Sequence, residues 1–470
     1  MRLSPLESFE QHTYMNVTAS PRKNRIVGIP ASRWGHAMTK PLSIALLIGG
    51  WFISDVAAAD DWSQFRGPNS DNVATQASDM PTTWSESTNV IWKLSTSRTG
   101  WSSPIIAGDL AMMTEATSDG TQMYAFAVDL RDGKVRWSRL VFENDKDKLG
   151  ETHVMNSYAS PTPVTDGKHV WVHFGSYGTA CLDVETGDEI WRRRDFPCNH
   201  FRGPGSSPML DPAGRLFMNF DGYDFQYVVC LRGSDGSLIW KQNRDVDYGT
   251  TDGDVMKAFC TPIAINVDGN TQWISPTSKA VIAYDPNDGA ELWRVHYDEF
   301  SATGQPFYDG KILYVNTGFG KAKLYAIDPR GSGDVTDTHV RWVAEKGIGS
   351  KPSQVFYQGL IYNIHDAGVL SCLDATDGAE LWSKRLGGQF SASPLIAGGL
   401  LYVFDHDGTG YVIRPGRVCD LVAENPLDNG CMASPAVFDN SLIVRTKTAM
   451  YRIGKLPDAS SAVELIPGAE

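Results

Sequence analysis

Short apolar runs separated by turns rich in Gly and Asp recur along most of the chain. Between residues 160 and 193 the runs SPTPV, HVWVHFG, TACLDV and EIWRR are separated by TDGK, SYG and ETGD. Such runs, with many β-branched and aromatic side chains, predict strands joined by hairpins. The pattern therefore predicts an all-β chain in which one unit contributes four antiparallel strands.

An internal repeat determines the predicted architecture. Full copies of one segment are AVDLRDGKVRW (127–137), CLDVETGDEIW (181–191), CLRGSDGSLIW (230–240), AYDPNDGAELW (283–293) and CLDATDGAELW (372–382). A second marker, a small residue near a proline, opens each unit at Pro104, Pro161, Pro208, Pro262, Pro306, Pro352, Pro394 and Pro435. The mean spacing of about 47 residues is that of a four-stranded propeller blade. We predict an eight-bladed β-propeller, with seven blades as the alternative if 395–432 does not form a full unit.

Each residue type of the repeat has a predicted structural role. The Asp accepts N–H groups of a turn, and the Gly supplies the positive φ that a tight turn requires. The Trp lies on the outermost strand, where its ring can pack between neighbouring blades. The last unit ends after three strands, and NVIWKL (89–94) at the other end supplies the fourth. An N-terminal strand is therefore predicted to close the ring and hide both sheet edges.

Four segments are predicted along the chain. They are an N-terminal extension with a secretory signal (1–59), an irregular N-terminal wrap (60–88), the propeller (89–456) and a C-terminal tail (457–470). Trp62, Phe65 and Trp84 would anchor the wrap to the outside of the propeller by burying apolar area.

The repeat resembles the tryptophan-docking motif of the pyrroloquinoline quinone (PQQ) repeat propellers, over residues 89–454. WSQFRGPNSDNV (62–73) is similar to the mature start of many exported proteins of that group. The resemblance implies either a quinoprotein alcohol dehydrogenase, which holds PQQ and Ca²⁺ over the ring centre, or the cofactor-free propeller lipoprotein of the outer-membrane assembly machinery. The chain lacks adjacent cysteines, C-x-x-C-H and a lipid-attachment cysteine. Neither function is therefore expected to transfer whole.

The N-terminal segment predicts export. Basic residues precede LSIALLIGGWFI (42–53) and AAA (57–59), which match the parts of a secretory signal. The apolar run is too short to span a bilayer comfortably. We expect cleavage near Ala59 and a periplasmic or secreted protein without an integral membrane span after cleavage. An uncleaved anchor is the alternative, and Met38 is an alternative start to Met1.

Charge and cysteine content narrow the possible partners. The 42 Lys and Arg residues against 55 Asp and Glu give a net charge of −13, which argues against nucleic acid. Seven cysteines cannot all pair within one chain. A local disulfide between Cys419 and Cys431 and unpaired cysteines are both open. Three repeat-position cysteines are predicted to be small buried residues, namely Cys181, Cys230 and Cys372.

Unequal connectors between blades indicate where a binding site lies. Three consecutive connectors are long (144–158, 194–205 and 244–257), and consecutive blades place them side by side on one face. The candidate binding residues on this face are His153, Asn156, Asn199, His200, Arg202, Asp252, Asp254 and Lys257. The alternative is a solvated face without a binding role.

Metal chemistry is suggested only by the third of these connectors. Its carboxylates Asp245, Asp247, Asp252 and Asp254 suggest Ca²⁺, but Gly249 stands where a third ligand of the D-x-[DN]-x-[DN]-G pattern belongs. The metal is therefore left unassigned.

The expected function is binding rather than catalysis. We expect an exported scaffold propeller of the cell envelope that contacts a protein or a surface polymer through the long-loop face. A quinone enzyme needs a cation against its anionic cofactor and a carboxylate base near the substrate, and the sequence supplies no firm set of either. No catalytic or cofactor-binding residue is assigned. A PQQ- and calcium-dependent alcohol or sugar dehydrogenase is the alternative.

Overall fold

Eight four-stranded antiparallel sheets surround a central channel in the computed structural model, which describes residues 61–455. The prediction of an eight-bladed propeller is confirmed. The seven-bladed alternative is wrong because residues 395–432 contain a complete sheet, whose outer strand Asp420–Pro426 forms without a Trp. The predicted signal (1–59) and tail (457–470) lie outside the described residues.

In each blade the strands follow one another from the channel outwards. Blade one contains Ile105–Ala107, Leu110–Ala116, Gln122–Asp129 and Val135–Glu143. Blade two contains Val164–Thr165, His169–His173, Thr179–Asp183 and Glu189–Arg193. Blade three contains Met209–Leu210, Arg215–Asp221, Gln226–Arg232 and Leu238–Asn243. Blade four contains Ile263–Val267, Asn270–Pro276, Ala280–Tyr284 and Glu291–His296, with Gly333–Asp334 added in parallel at its outer edge.

The second half of the ring repeats this plan. Blade five contains Phe307–Tyr308, Leu313–Asn316, Leu324–Ile327 and Val340–Ala344. Blade six contains Val355–Tyr357, Leu360–Ile364, Val369–Asp374 and Glu380–Arg385. Blade seven contains Leu395–Ala397, Leu400–Phe404, Thr409–Arg414 and Asp420–Pro426. Blade eight contains Ala436–Phe438, Ser441–Arg445, Ala449–Gly454 and, from the N-terminal side of the chain, Val90–Ser95. The helices of the described part are Lys146–Lys148 (3-10), Gly253–Met256 and Thr336–His339.

Blade eight closes the ring as predicted. Its outer strand Val90–Ser95 pairs antiparallel with Ala449–Gly454, with Lys93 opposite Tyr451. Joining two distant parts of the chain in one sheet leaves no blade with a missing strand. Across residues 61–455 we find no helix with the length and apolar character needed to cross a membrane.

Six outer-strand tryptophans connect neighbouring blades through a defined contact, whereas Trp293 donates to Gln272 of its own blade. The Trp137 indole nitrogen donates to the Val184 carbonyl at 2.8 Å, and Trp240 donates to the Pro286 carbonyl at 3.0 Å. The ring lies flat on the turn glycine of the next blade: a Cβ on Gly289 would come within 2.6 Å of the Trp240 ring. The motif glycine therefore serves its own turn, with φ of +75°, and also the packing of a neighbour's indole.

Residues 61–74 cross the channel, so their expected position outside the propeller is corrected. They bond to the inner strands of three blades and to the residues just before the inner strands of two others. These bonds are Ile106 N–H to Trp62 O, Thr165 N–H to Ser63 O, the Arg66 guanidinium to Gln305 O and Gln354 O, and Ile396 N–H to Asn72 O. The backbone N–H and C=O groups on the channel-facing edges of the inner strands have no partner strand. Residues 61–74 form hydrogen bonds with some of these groups. We call residues 61–74 the plug.

The expected aromatic anchors are divided between two places. Trp62 and Trp84 are both buried, and the Trp84 ring stacks on Phe404 of blade seven at 5.9 Å. Phe65 instead faces the channel cavity described below. The burial of Trp62 and Trp84 therefore anchors the predicted N-terminal wrap near both of its ends, whereas the Phe65 side chain lines the cavity.

All seven cysteines are free. Cys419 precedes the outer strand Asp420–Pro426 and Cys431 follows it, and neither sulfur is bonded to another. The local disulfide left open by the sequence therefore does not form. Cys181, Cys230 and Cys372 are buried as predicted, and burial raises the pKa of Cys372 to about 11.

Candidate functional site

One face of the propeller carries every connector that leads from an outer strand to the next inner strand. In a four-stranded antiparallel blade these connectors lie at the same end as the turn between the second and third strands. The long connectors 144–158, 194–205 and 244–257 follow blades one, two and three, so they are adjacent on this face. We call it the long-loop face.

A cavity of about 460 Å³ opens at the centre of this face. Its aromatic lining comes from the plug, from connectors of several blades and from a turn of blade five, namely Phe65, Trp101, Phe259, Phe300 and Phe319. Its charged lining consists of Arg202, Asp254, Lys351 and Asp366, with His153 at the same wall. Because the plug crosses the channel and Phe65 lines the cavity, we describe this cavity as a funnel with a floor rather than an open pore.

A ring of hydroxyl groups surrounds the base of the funnel. In seven blades a Ser or Thr at the start of the inner strand accepts a backbone N–H from the preceding blade, at 2.9–3.0 Å. The acceptors are Ser103, Thr162, Ser207, Thr261, Ser353, Ser393 and Ser434. Blade five has Gln305 at this position, and its side-chain amide donates to the Pro262 carbonyl at 3.2 Å. The proline markers of the sequence thus accompany a hydrogen-bonded ring that sequence analysis did not identify.

Arg202 ties the three long connectors together. Its guanidinium forms two hydrogen bonds with Asp254 of the third connector, at 2.8 and 2.9 Å. Its carbonyl accepts the backbone N–H of His153 and the side-chain amide of Asn156 in the first connector, at 3.2 and 2.8 Å. Arg202 adopts a φ of +72°, which is unfavourable for a residue with a Cβ. The contacts on three sides hold this conformation, so the connectors form one structure rather than three separate loops.

The third connector is also held at its base. Arg244 and Asp221 form a fully buried, two-bonded ion pair at 2.7 and 2.9 Å. The nearby carboxylate keeps the guanidinium charged and raises the pKa of Arg244 despite its burial. Removing one member of such a pair leaves an uncompensated buried charge, so this pair is structural.

The eight predicted candidates divide into three groups. His153, Asn156, Arg202 and Asp254 line the funnel. Asn199 is exposed beside it, and Asp252 caps Gly253–Met256 by accepting the Asp254 N–H. His200 and Lys257 are buried beneath the connectors and do not reach the surface.

The buried pair His200 and Lys257 has unusual electrostatics. The Lys257 side-chain nitrogen lies 3.5 Å from His200 Nδ1, and Lys257 is 1% exposed with no carboxylate within 4 Å among residues 61–455. Burial lowers the pKa of Lys257 to about 8. Burial and, second, the Lys257 charge lower the pKa of His200 well below its usual range, so this imidazole is neutral. These groups are part of the packing beneath the connectors.

Exposed apolar side chains on the same face were missed by sequence reasoning. Val154 is 83% exposed, Phe225 51%, and Phe201 and Tyr223 39% each. The Phe201 and Tyr223 rings pack edge to face at 5.3 Å, and Gly253 lies directly against Tyr223. We call Val154, Phe201, Tyr223 and Phe225 the apolar patch. A hydrophobic residue inside an otherwise polar connector is the signal that would have indicated it.

A calcium ion and an anionic quinone were tested against the side chains present. Asp254 is committed to Arg202, and Asp252 to the helix cap. Asp366 accepts hydrogen bonds from the Ser350 hydroxyl and the Lys351 backbone. Within residues 61–455 there is no group of three or more His, Cys, Asp or Glu side chains arranged to hold a metal ion. Lys351 and Arg202 could face a carboxylate of the quinone, but the donor set does not fit a calcium ion.

Comparison with known proteins gives a consistent fold. The family model described as outer membrane protein assembly factor BamB matches residues 70–200, 277–336 and 323–415. A tetrathionate hydrolase of Acidithiobacillus ferrooxidans is 26% identical over 253 residues, which are 52% of this chain and 48% of that protein. The chain thus spans about half the length of this curated relative.

Solved structures share the architecture at low identity. The quinohemoprotein alcohol dehydrogenase of Comamonas testosteroni superposes with a TM-score of 0.63 at 12% identity, covering 89% of this chain and 84% of that one. BamB of Moraxella catarrhalis gives 0.54 at 13% identity, covering 77% and 96%. At such identities the likeness concerns the fold alone.

Proposed function

Since this chain belongs to the family described as outer membrane protein assembly factor BamB, we propose that it is an exported, non-catalytic binding propeller that docks a protein partner on its long-loop face. The name of the family refers to assembly rather than to a reaction. Of the two partner classes expected from the sequence, a protein or a surface polymer, the apolar patch favours the protein. Four apolar side chains exposed together suit the core of a protein interface.

The connection of the three connectors through Arg202 is the observation that carries this proposal. Mobile loops would lose conformational entropy on binding, whereas a locked surface loses less. The Arg202–Asp254 pair and the bonds to the Arg202 carbonyl hold the connectors before any partner arrives. Large apolar residues exposed on such a fixed surface mark an interaction site.

Site-specific photo-crosslinking tests the docking surface. A benzophenone amino acid replaces Phe201 on the long-loop face or, as control, Val418, which is 74% exposed in a turn at the opposite face. We expect a saturable protein adduct at position 201 in the cell envelope and none at position 418. Excess unlabelled wild type should compete, while a variant with Phe201→Ser, Tyr223→Ser and Phe225→Ser should not. An equal adduct at both positions, or none at 201, would overturn the proposal.

The dehydrogenase alternative has its own experiment. PQQ with Ca²⁺ is titrated into the purified protein while quinone absorbance and dye reduction with an alcohol panel are followed. Because the funnel carboxylates hold other partners, we expect no stoichiometric quinone binding that depends on Ca²⁺. Stoichiometric binding with turnover would replace the docking proposal by catalysis.

Export forms part of the proposal. We propose a periplasmic or secreted protein that begins near Asp60 after removal of the signal, so that Trp62 lies close to the new N-terminus. Mass spectrometry of the protein from fractionated cells measures this directly. A cytoplasmic protein retaining Met1 or Met38 would contradict it.

A further inference from the structure

The apolar patch has acidic neighbours on each connector and turn that contributes to it. Glu151 adjoins Thr152, which bridges to Arg202 beside Phe201. Asp224 lies between Tyr223 and Phe225, and Asp252 precedes the Gly253 that contacts Tyr223. All three carboxylates are exposed. We call Glu151, Asp224 and Asp252 the acidic border.

Within the part of the chain that the structure describes, no ion pair compensates the charge of the acidic border. Ion pairs within 4 Å among residues 61–455 include none made by Glu151, Asp224 or Asp252. Asp224 accepts only backbone N–H groups, from Asn199 at 2.7 Å and Phe225 at 2.9 Å, and Asp252 accepts that of Asp254 at 3.0 Å. The Arg202 guanidinium, 5.0 Å from the centre of the Phe201 ring, is paired with Asp254. The border therefore presents negative charge to whatever covers the patch.

We propose that the partner docks through a cationic polypeptide segment whose apolar side chains cover the patch and whose Lys or Arg side chains face the acidic border. This inference rests on the proposed docking function and specifies the chemistry of the partner. Charge complementarity at an interface steers association and rejects partners of like charge. The apolar contacts supply burial at the centre, where charged side chains are usually depleted.

The charges argue against other occupants of the same surface. A second copy of this chain would bring its own three carboxylates towards those of the first, which costs free energy. A neutral polymer would cover the acidic border without compensating it, and an anionic one would be repelled. A cationic segment is the occupant that gains from both the patch and its border.

Defined peptides serve as probes for this chemistry. A labelled twelve-residue peptide made of three Gly-Lys-Phe-Lys units is compared, by fluorescence anisotropy, with versions in which Glu replaces Lys or Ala replaces Phe. We expect the Lys-Phe peptide to bind at least about tenfold more tightly than either version, and its Kd to rise with added salt. Equal affinity for the Glu version would overturn the inference.

Matched protein variants locate the binding to the long-loop face. The test variant combines Glu151→Gln, Asp224→Asn and Asp252→Asn, which retain oxygen acceptors for the backbone N–H groups. The control combines Glu185→Gln, Asp288→Asn and Asp377→Asn, exposed turn residues on the opposite face that change the net charge equally. We expect the test variant to weaken peptide binding about tenfold and the control by less than about twofold. Equal effects would mean that only the net charge of the protein attracts the peptide, and would refute the site.

The two proposals fail in different ways. If a partner crosslinks at position 201 while neither the peptide nor the acidic-border variant shows the expected effect, docking stands and the cationic chemistry is wrong. If nothing crosslinks at 201, docking itself fails. Unchanged thermal unfolding of both triple variants verifies that the comparison concerns binding rather than folding.

Discussion

The two faces of the propeller differ in how far they repeat. At the face of the motif turns, five units make the same contact: an indole donates to a carbonyl of the next blade, as Trp137 does to Val184, and a turn glycine of that blade lies against the ring. At the long-loop face the connectors after blades one to three are long, and Arg202 ties them together. The repeated contact stabilises the fold, whereas binding sites in proteins are commonly built on irregular loops carried by a stable scaffold.

The largest effect is expected from removing the strand and plug that complete the ring. Deletion of residues 60–95 removes the outer strand of blade eight and the channel-crossing segment together. The exposed edge of Ala449–Gly454 should then cause aggregation or loss of the cooperative transition. Circular dichroism and light scattering measure both. A truncated protein that melts like the parent would show that ring closure does not depend on this segment.

A second experiment separates the two roles of the motif glycine. Gly289 and Gly359 have φ of +75° and +78°, but only at Gly289 would a Cβ meet an indole, that of Trp240. Gly289→Ala should therefore lower the free energy of unfolding by roughly 1–3 kcal/mol more than Gly359→Ala, since overpacking adds to the shared backbone strain. Urea denaturation measures the difference. Equal losses would mean that the contact between blades adds nothing.

The buried lysine beneath the connectors predicts a pH dependence. Lys257 has a pKa lowered to about 8, so between about pH 8 and the usual lysine range near 10.4 the unfolded state binds more protons than the folded one. Stability of the wild type should therefore rise with pH in this window, relative to Lys257→Met. The difference amounts to about 1.4 kcal/mol per unit of pKa shift. Parallel stability curves of the two proteins between pH 7 and 10.5 would contradict the lowered pKa.

The smallest effect on stability is expected at the Arg202 junction. Arg202→Gly removes the partly exposed ion pair with Asp254 but suits the positive φ, so the global unfolding free energy should change by less than about 1 kcal/mol. Hydrogen exchange in 252–258 should nevertheless accelerate, because Asp254 loses its guanidinium partner, while 150–158, which bonds to the backbone carbonyl of residue 202, should change less. Arg202→Lys, which keeps the charge but not the paired bonds, should give an intermediate rate. Unchanged exchange in both segments would show that the connectors are ordered independently of Arg202.

The sequence repeat made the fold predictable, but the arrangement of the candidate site was predictable only in part. The Trp–Gly spacing and the proline markers predicted eight blades, and NVIWKL predicted the closing strand, because local turn and strand preferences repeat in every unit. The same reasoning selected three long connectors, which follow consecutive blades in the structure. It could not separate Arg202 and Asp254, which meet in the funnel, from His200 and Lys257, which are buried, because the packing beneath a connector leaves no period in the sequence.

The sequence by itself therefore determined the architecture and the face with long connectors, since both follow from local patterns and chain order. Only the tertiary structure decided that residues 61–74 cross the channel, that Phe65 faces the funnel and that Phe201 stays exposed beside Tyr223. Each of these outcomes depends on atoms that lie far apart in the chain. The Arg66 guanidinium donates to the carbonyl of Gln305, and the Arg202 guanidinium donates to the carboxylate of Asp254. Hydrogen-bond satisfaction between distant segments is a property of the folded molecule, and no local preference encodes it.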